Sequence, residues 1–106
     1  MLAEGERKIW KFVLNEPLKK IEIPIDSKFL TVLLNEDGIF PALYFQVGEG
    51  ELENRYIRVF YTGAVINLED WMIYRGSVIN ESKIVMHVYE VTQEVFERNH
   101  GIATLL

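Results

Sequence analysis

Short apolar runs separated by polar, turn-forming residues recur along the whole chain. Ile21, Ile23 and Ile25 alternate with Glu22 and Pro24, the period of two that buries one face of a strand. Pro24 has no N–H to give to a ladder, so this strand is expected at a sheet edge or with that side unpaired. An earlier strand runs from Lys8 to Leu14 and is broken by Asn15-Glu16-Pro17-Leu18-Lys19. Phe29 to Leu34 and Ile39 to Val47 flank Asn35-Glu36-Asp37-Gly38. Asp-Gly between two apolar runs predicts a hairpin, because glycine takes the positive φ that the turn needs. Pro41 predicts a bulge or a short edge near the start of the second run. Gly48 to Asn54, with two glycines and three glutamates, reads as a solvated, mobile loop. In Arg55 to Thr62, Tyr56, Arg58 and Phe60 share one face and Ile57, Val59 and Tyr61 the other; Thr62-Gly63 closes the strand.

The last third of the chain continues the pattern. Asn67-Leu68-Glu69-Asp70 suits one helical turn capped by Asn67. Trp71 to Val78 and Lys83 to Val91 form a closing hairpin around Ile79-Asn80-Glu81-Ser82. The run Ile84-Val85-Met86-His87-Val88-Tyr89-Glu90-Val91 is β-branched and aromatic, which suits a sheet and little else. Gly76 within a strand pattern marks a bulge or a close approach by another group. Thr92 is an N-cap for a short helix that Gly101 ends, and Ile102 to Leu106 is an apolar tail. The expectation is an all-β fold: about seven short antiparallel strands in a small sandwich or barrel, with one short C-terminal helix. Residues 1–106 form one domain, of which 92–106 are helix and tail. The tail packs on the domain or on a second subunit, so a homo-oligomer is expected.

Composition narrows the function. At 106 residues, 49% apolar and 25% charged, the chain can bury one core without staples. The absence of cysteine excludes disulfides, thiolate zinc sites and cysteine nucleophiles, and fits a reducing cytoplasm. No apolar run approaches the ~18 residues of a membrane span, and no signal peptide is visible. The net charge of −5 is the wrong sign for duplex nucleic acid, where phosphate neutralisation carries the affinity. A local pocket for a small anion needs only two or three cations and remains open.

No catalytic, metal or cofactor signature stands out. His100 lies in the tail, and His87 is mid-strand on the face of Val85, Tyr89 and Val91. One imidazole does not make a zinc site. As a base His87 would need a nucleophile beside it; Ser77 and Thr62 are candidates that sequence alone does not place. His87 is therefore either a satisfied core or interface residue or a ligand contact. The carboxylates sit mostly in turns, with no facing pair. Gly48-Glu49-Gly50-Glu51 is acidic and would repel phosphate. Arg58 and Arg75 differ, because they lie in strands among aromatic neighbours. Such an arginine either reaches solvent from a mixed face or binds phosphate in a two-pronged contact while a ring stacks on a base. Thr62-Gly63 offers a hydroxyl and a backbone N–H at a strand end, or is a plain turn.

Ile9-Trp10-Lys11, Ile21-Glu22-Ile23-Pro24, Lys28-Phe29-Leu30-Thr31-Val32, Tyr61-Thr62-Gly63 with Ile66, Tyr74-Arg75-Gly76-Ser77 and Met86-His87-Val88-Tyr89-Glu90-Val91 follow in an order and spacing that resemble a family of short phage-encoded β-proteins without an assigned function. The likeness covers residues 8–91; the chain departs from it in its tail and in lacking a proline-rich acidic middle. The resemblance implies a phage origin, an intracellular setting and a small β-fold. By analogy it points to phage sponges that sequester cyclic nucleotide defence signals. The expectation is a non-enzymatic protein binding a small anionic nucleotide-like ligand through Arg58, Arg75, Thr62, Gly63, Tyr61, Tyr74 and His87. The alternative is a protein-interaction module, such as an inhibitor of a host enzyme or a minor assembly factor, with no small ligand.

Overall fold

The structure, a computed structural model, describes residues 5–66 and 72–98. Seven strands form two antiparallel sheets: β1 (Lys8–Val13), β2 (Leu18–Pro24), β3 (Lys28–Leu34), β4 (Pro41–Val47), β5 (Leu52–Tyr61), β6 (Met72–Ile79) and β7 (Val85–Val91). One sheet has the order β1-β4-β3, the other β2-β5-β7-β6. A short helix, α1, covers 93–98, and the Thr92 hydroxyl accepts from the Val95 N–H at 3.2 Å as its cap. No helix among the described residues is long and apolar enough to cross a membrane. The Asn67-Asp70 turn, Trp71, His100, Gly101 and the Ile102-Leu106 tail fall outside the described residues.

The alternating positions of both sheets meet in one core. Ile21, Ile23, Ile57, Val59, Met86 and Val88 from one sheet face Val32, Leu43, Phe45 and Val47 from the other. Gly76 of β6 comes so near β3 that a Cβ there would stand 3.4 Å from Val32, so the two sheets close on the β3/β6 side. The fold is thus a sandwich with its other side, between β1 and β2, left open. A smaller cluster lies on the outer face of the four-stranded sheet, where Val95 of α1 joins Tyr56 and Val91 and packs against Met72, Tyr89 and Phe96.

Pro24 ends edge strand β2. Ile25 N–H donates to Glu51 O and Val59 N–H to Pro17 O, so odd positions of β2 bond to β5 and even ones face out. The donor that proline lacks would have pointed at solvent. Asp37-Gly38 makes the β3–β4 turn, with Gly38 at φ 72° and the Asp37 carboxylate accepting from Ile39 and Phe40 N–H.

Four local readings change. Leu18 and Lys19 extend β2 instead of breaking the chain, because the pairing already starts at Pro17 O. Ile25 lies past the end of β2. Pro41 opens central strand β4 without a bulge; there only its carbonyl is needed, by Leu14 N–H at 2.9 Å. The Gly48-Asn54 loop shrinks to 48–51, since Leu52, Glu53 and Asn54 pair with Pro24, Ile23 and Glu22.

Candidate functional site

The site begins with one extra residue in β6. Tyr74 stands opposite Tyr89, but Gly76, not Arg75, stands opposite Val88, so two residues of β6 span one step of β7. Gly76 takes φ 149°, a conformation that side chains other than glycine's rarely adopt. In a regular strand Tyr74 and Ser77, three apart, would point to opposite faces. The bulge puts both on the outer face and sets Ser77 opposite His87.

The outcome is a line of hydrogen bonds across three strands. Tyr74 OH and Ser77 Oγ are 2.5 Å apart, Ser77 Oγ and His87 Nδ1 2.6 Å, and His87 Nε2 and Thr62 Oγ1 2.9 Å. Each hydroxyl can donate or accept, so a neutral imidazole is satisfied at both ring nitrogens whichever one carries the proton. Beside this line the Tyr74 and Tyr89 rings lie 5.3 Å apart and Phe60 meets Tyr89 edge-on at 5.5 Å. Arg58 lies over the Phe60 ring at 4.3 Å. Tyr74 is 55% exposed and offers a ring to solvent. Gly63, at φ 93°, follows Thr62 in the turn that ends β5, with open space where a side chain would be.

Arg58, Thr62, Tyr74 and His87 therefore share one surface, with Gly63 at its rim. Tyr61 and Arg75 do not join them. Tyr61 stands opposite Met86 on the core-facing side of β5. There it borders a cleft of about 30 Å³, roughly one water in size, with Leu14, Pro17, Phe40 and Met86. Arg75 is the extra residue of the bulge and points inward. Its Nη2 donates to Glu90 Oε1 at 2.8 Å, while Arg55 holds both oxygens of the same carboxylate at 2.7 Å. Arg55 stacks on Phe45 and Arg75 on Phe29, so this triad ties the two sheets together. Burial alone would push the Glu90 carboxyl up, but hydrogen bonds and charge from Arg55 and Arg75 outweigh it and hold it below its ordinary range.

Phe60, Tyr89 and Ser77 complete the surface. Their faces follow from strand alternation, but Ser77 reaches His87 only through the bulge. Among the described residues no group of three or more histidines and carboxylates could hold a metal ion. Tyr61-Thr62-Gly63, Tyr74-Arg75-Gly76-Ser77 and Met86 to Val91, distant in sequence, each send a side chain to the hydroxyl–imidazole line.

Residues 6–99 match a family model described as a domain of unknown function (DUF7352). No curated protein and no solved structure matches the chain.

Proposed function

The chain belongs to the DUF7352 family, whose description carries no activity, and we propose from its surface chemistry that it binds and sequesters a small anionic nucleotide-like ligand. The observation that carries this reading is the His87 line. Hydroxyls at 2.6 and 2.9 Å fix the imidazole between an exposed tyrosine ring and the arginine of the neighbouring strand. A base stacks on Tyr74, worth ~1–3 kcal/mol for a base on an aromatic ring. Arg58 takes the phosphate in a two-pronged contact. Ser77, Thr62 and the Gly63 N–H read the polar edges. The ligand lies on an open face, not in an enclosed pocket, so a second ligand-covering surface strengthens binding. The resemblance to short phage-encoded proteins makes cyclic oligonucleotide signals of host defence the class to test first.

A serine hydroxyl beside an imidazole is also the start of a nucleophilic pair. The 2.6 Å Ser77–His87 contact makes hydrolysis the second reading.

Purified protein is incubated with cyclic di- and trinucleotides, freed of unbound ligand and heat-denatured. Release of intact nucleotide, lost in Arg58→Ala and His87→Ala, is the expected result. Altered nucleotide would put hydrolysis ahead. Failure to retain any member of the panel would remove this ligand class and favour a protein-interaction module.

A further inference from the structure

Edge strand β1 has two kinds of position. Lys8, Trp10 and Phe12 stand opposite Val47, Phe45 and Leu43, and Leu14 N–H donates to Pro41 O. Even-numbered residues thus bond to β4, and the main-chain groups of Ile9, Lys11 and Val13 face the other way. The Lys19 ammonium takes the Val13 carbonyl at 2.9 Å. Among the described residues nothing bonds the outward groups of Ile9 and Lys11. The side chains are equally uncovered. Lys8 to Lys11 are all exposed; Ile9 is 67% exposed, and Trp10, although on the core-facing side, is 36% exposed. This edge lies on the side where the sandwich is open.

Charge decides what fits there. Residues 7–24 hold five basic and two acidic side chains, against six basic and fourteen acidic elsewhere. Lys11 meets Glu36, itself 92% exposed, at 3.1 Å, and Lys8 has no carboxylate within salt-bridge distance among the described residues. Lysines on an edge discourage identical edges from pairing. Two copies joined through β1 would bring their Arg7, Lys8 and Lys11 side chains onto one ladder, like charge beside like. An acidic strand meets no such repulsion.

We propose that the free edge of β1 accepts an added strand from an extended acidic segment of a partner protein. Main-chain bonds to Ile9 and Lys11 supply the affinity, an apolar side chain of the segment covers Trp10 on one face of the strand, and its carboxylates meet Lys11 on the other. The surface lies on the opposite sheet from His87 and works independently of the ligand site.

The probe is a fluorescent alternating valine–glutamate octapeptide, with valine–lysine and valine–glutamine versions as controls. Anisotropy is expected to show binding of the glutamate peptide alone, weakening as salt is raised. Hydrogen exchange at the Ile9 and Lys11 amides is expected to slow when it binds. Lys11→Pro removes an outward donor without touching the bonds to β4, and is expected to weaken binding by about tenfold or more. Lys11→Glu keeps the donor but reverses the charge and is likewise expected to weaken binding, which keeps the test if the proline variant fails to fold, and His87→Ala is expected to leave peptide binding unchanged. No binding of the glutamate peptide, equal binding of the lysine peptide, or a dimer that Lys11→Pro dissolves would each overturn the proposal.

Discussion

Ser77 stands opposite His87 because β6 carries one more residue than β7 between Tyr74 and Val78. Without the bulge, His87 would face Gly76 and the serine would point into the core. A backbone irregularity, made possible by the φ of 149° at Gly76, thus builds the hydroxyl line that defines the surface.

Gly76→Ala is expected to damage stability and binding together. The new Cβ meets Val32 at 3.4 Å in a conformation alanine resists, a cost of ~1–3 kcal/mol. Relief by straightening the strand would turn Ser77 away from His87. Thermal melting and nucleotide affinity measured on this variant should therefore both fall; a normal melt with normal affinity would show that the bulge is dispensable.

The two strand arginines should separate cleanly. Arg58→Ala is expected to weaken nucleotide binding by ~1.5–3 kcal/mol, the range for hydrogen bonds to charged groups, with Lys recovering part of it. Arg75→Ala strips a partner from a carboxylate only 12% exposed and is expected to lower stability by a similar ~1.5–3 kcal/mol, with affinity intact in the folded fraction. Denaturant titrations and calorimetry on the same pair of variants check both halves, and swapped results would place the ligand at the Glu90 triad.

Glu90 also sets a pH dependence. Its carboxyl is held below the ordinary 4.5 in the folded state. Its ionised form is therefore favoured by folding, and that contribution is complete above about 4.5 and is lost as pH falls through the lowered folded value. Wild type should exceed Glu90→Gln in stability at neutral pH, and the gap should narrow on acidification below 4.5. A gap that stays constant down to strongly acidic pH would mean that the triad does not act through charge.

Ser77→Ala and Thr62→Val each remove one hydroxyl from the imidazole. Each is expected to cost ~0.5–1.5 kcal/mol of binding with little change in melting, because the line lies on an exposed face. Calorimetry on the single and double variants would show whether the two hydroxyls act together; a double variant with full affinity would take the line out of the site.

Much of the sandwich is legible in the sequence, because alternation, Asp37-Gly38 and the missing donor of Pro24 are local signals. So are the two faces of β5, which put Arg58 with Phe60. Arg75 is different. Tyr74 beside it suggests an aromatic-flanked anion site, but neighbours in a strand point to opposite faces, and the partner that claims Arg75 is Glu90, fifteen residues on. The meeting of Ser77 with His87 depends on the register of two strands and on a bulge that Gly76 suggests without saying which residues it brings together. The open β1 edge is likewise a property of strand order, which no run of residues in β1 records.

The most direct test is nitrogen-15 and side-chain NMR of the protein titrated with cyclic di-AMP, cyclic di-GMP and cyclic tri-AMP. The His87 imidazole and the amides of Arg58, Thr62, Gly63, Tyr74 and Ser77 should shift together and saturate with one of them, while Ile9, Lys11 and the Glu90 triad stay still. Shifts confined to another surface, or none with any of the three, would contradict the assignment of this face as a nucleotide site.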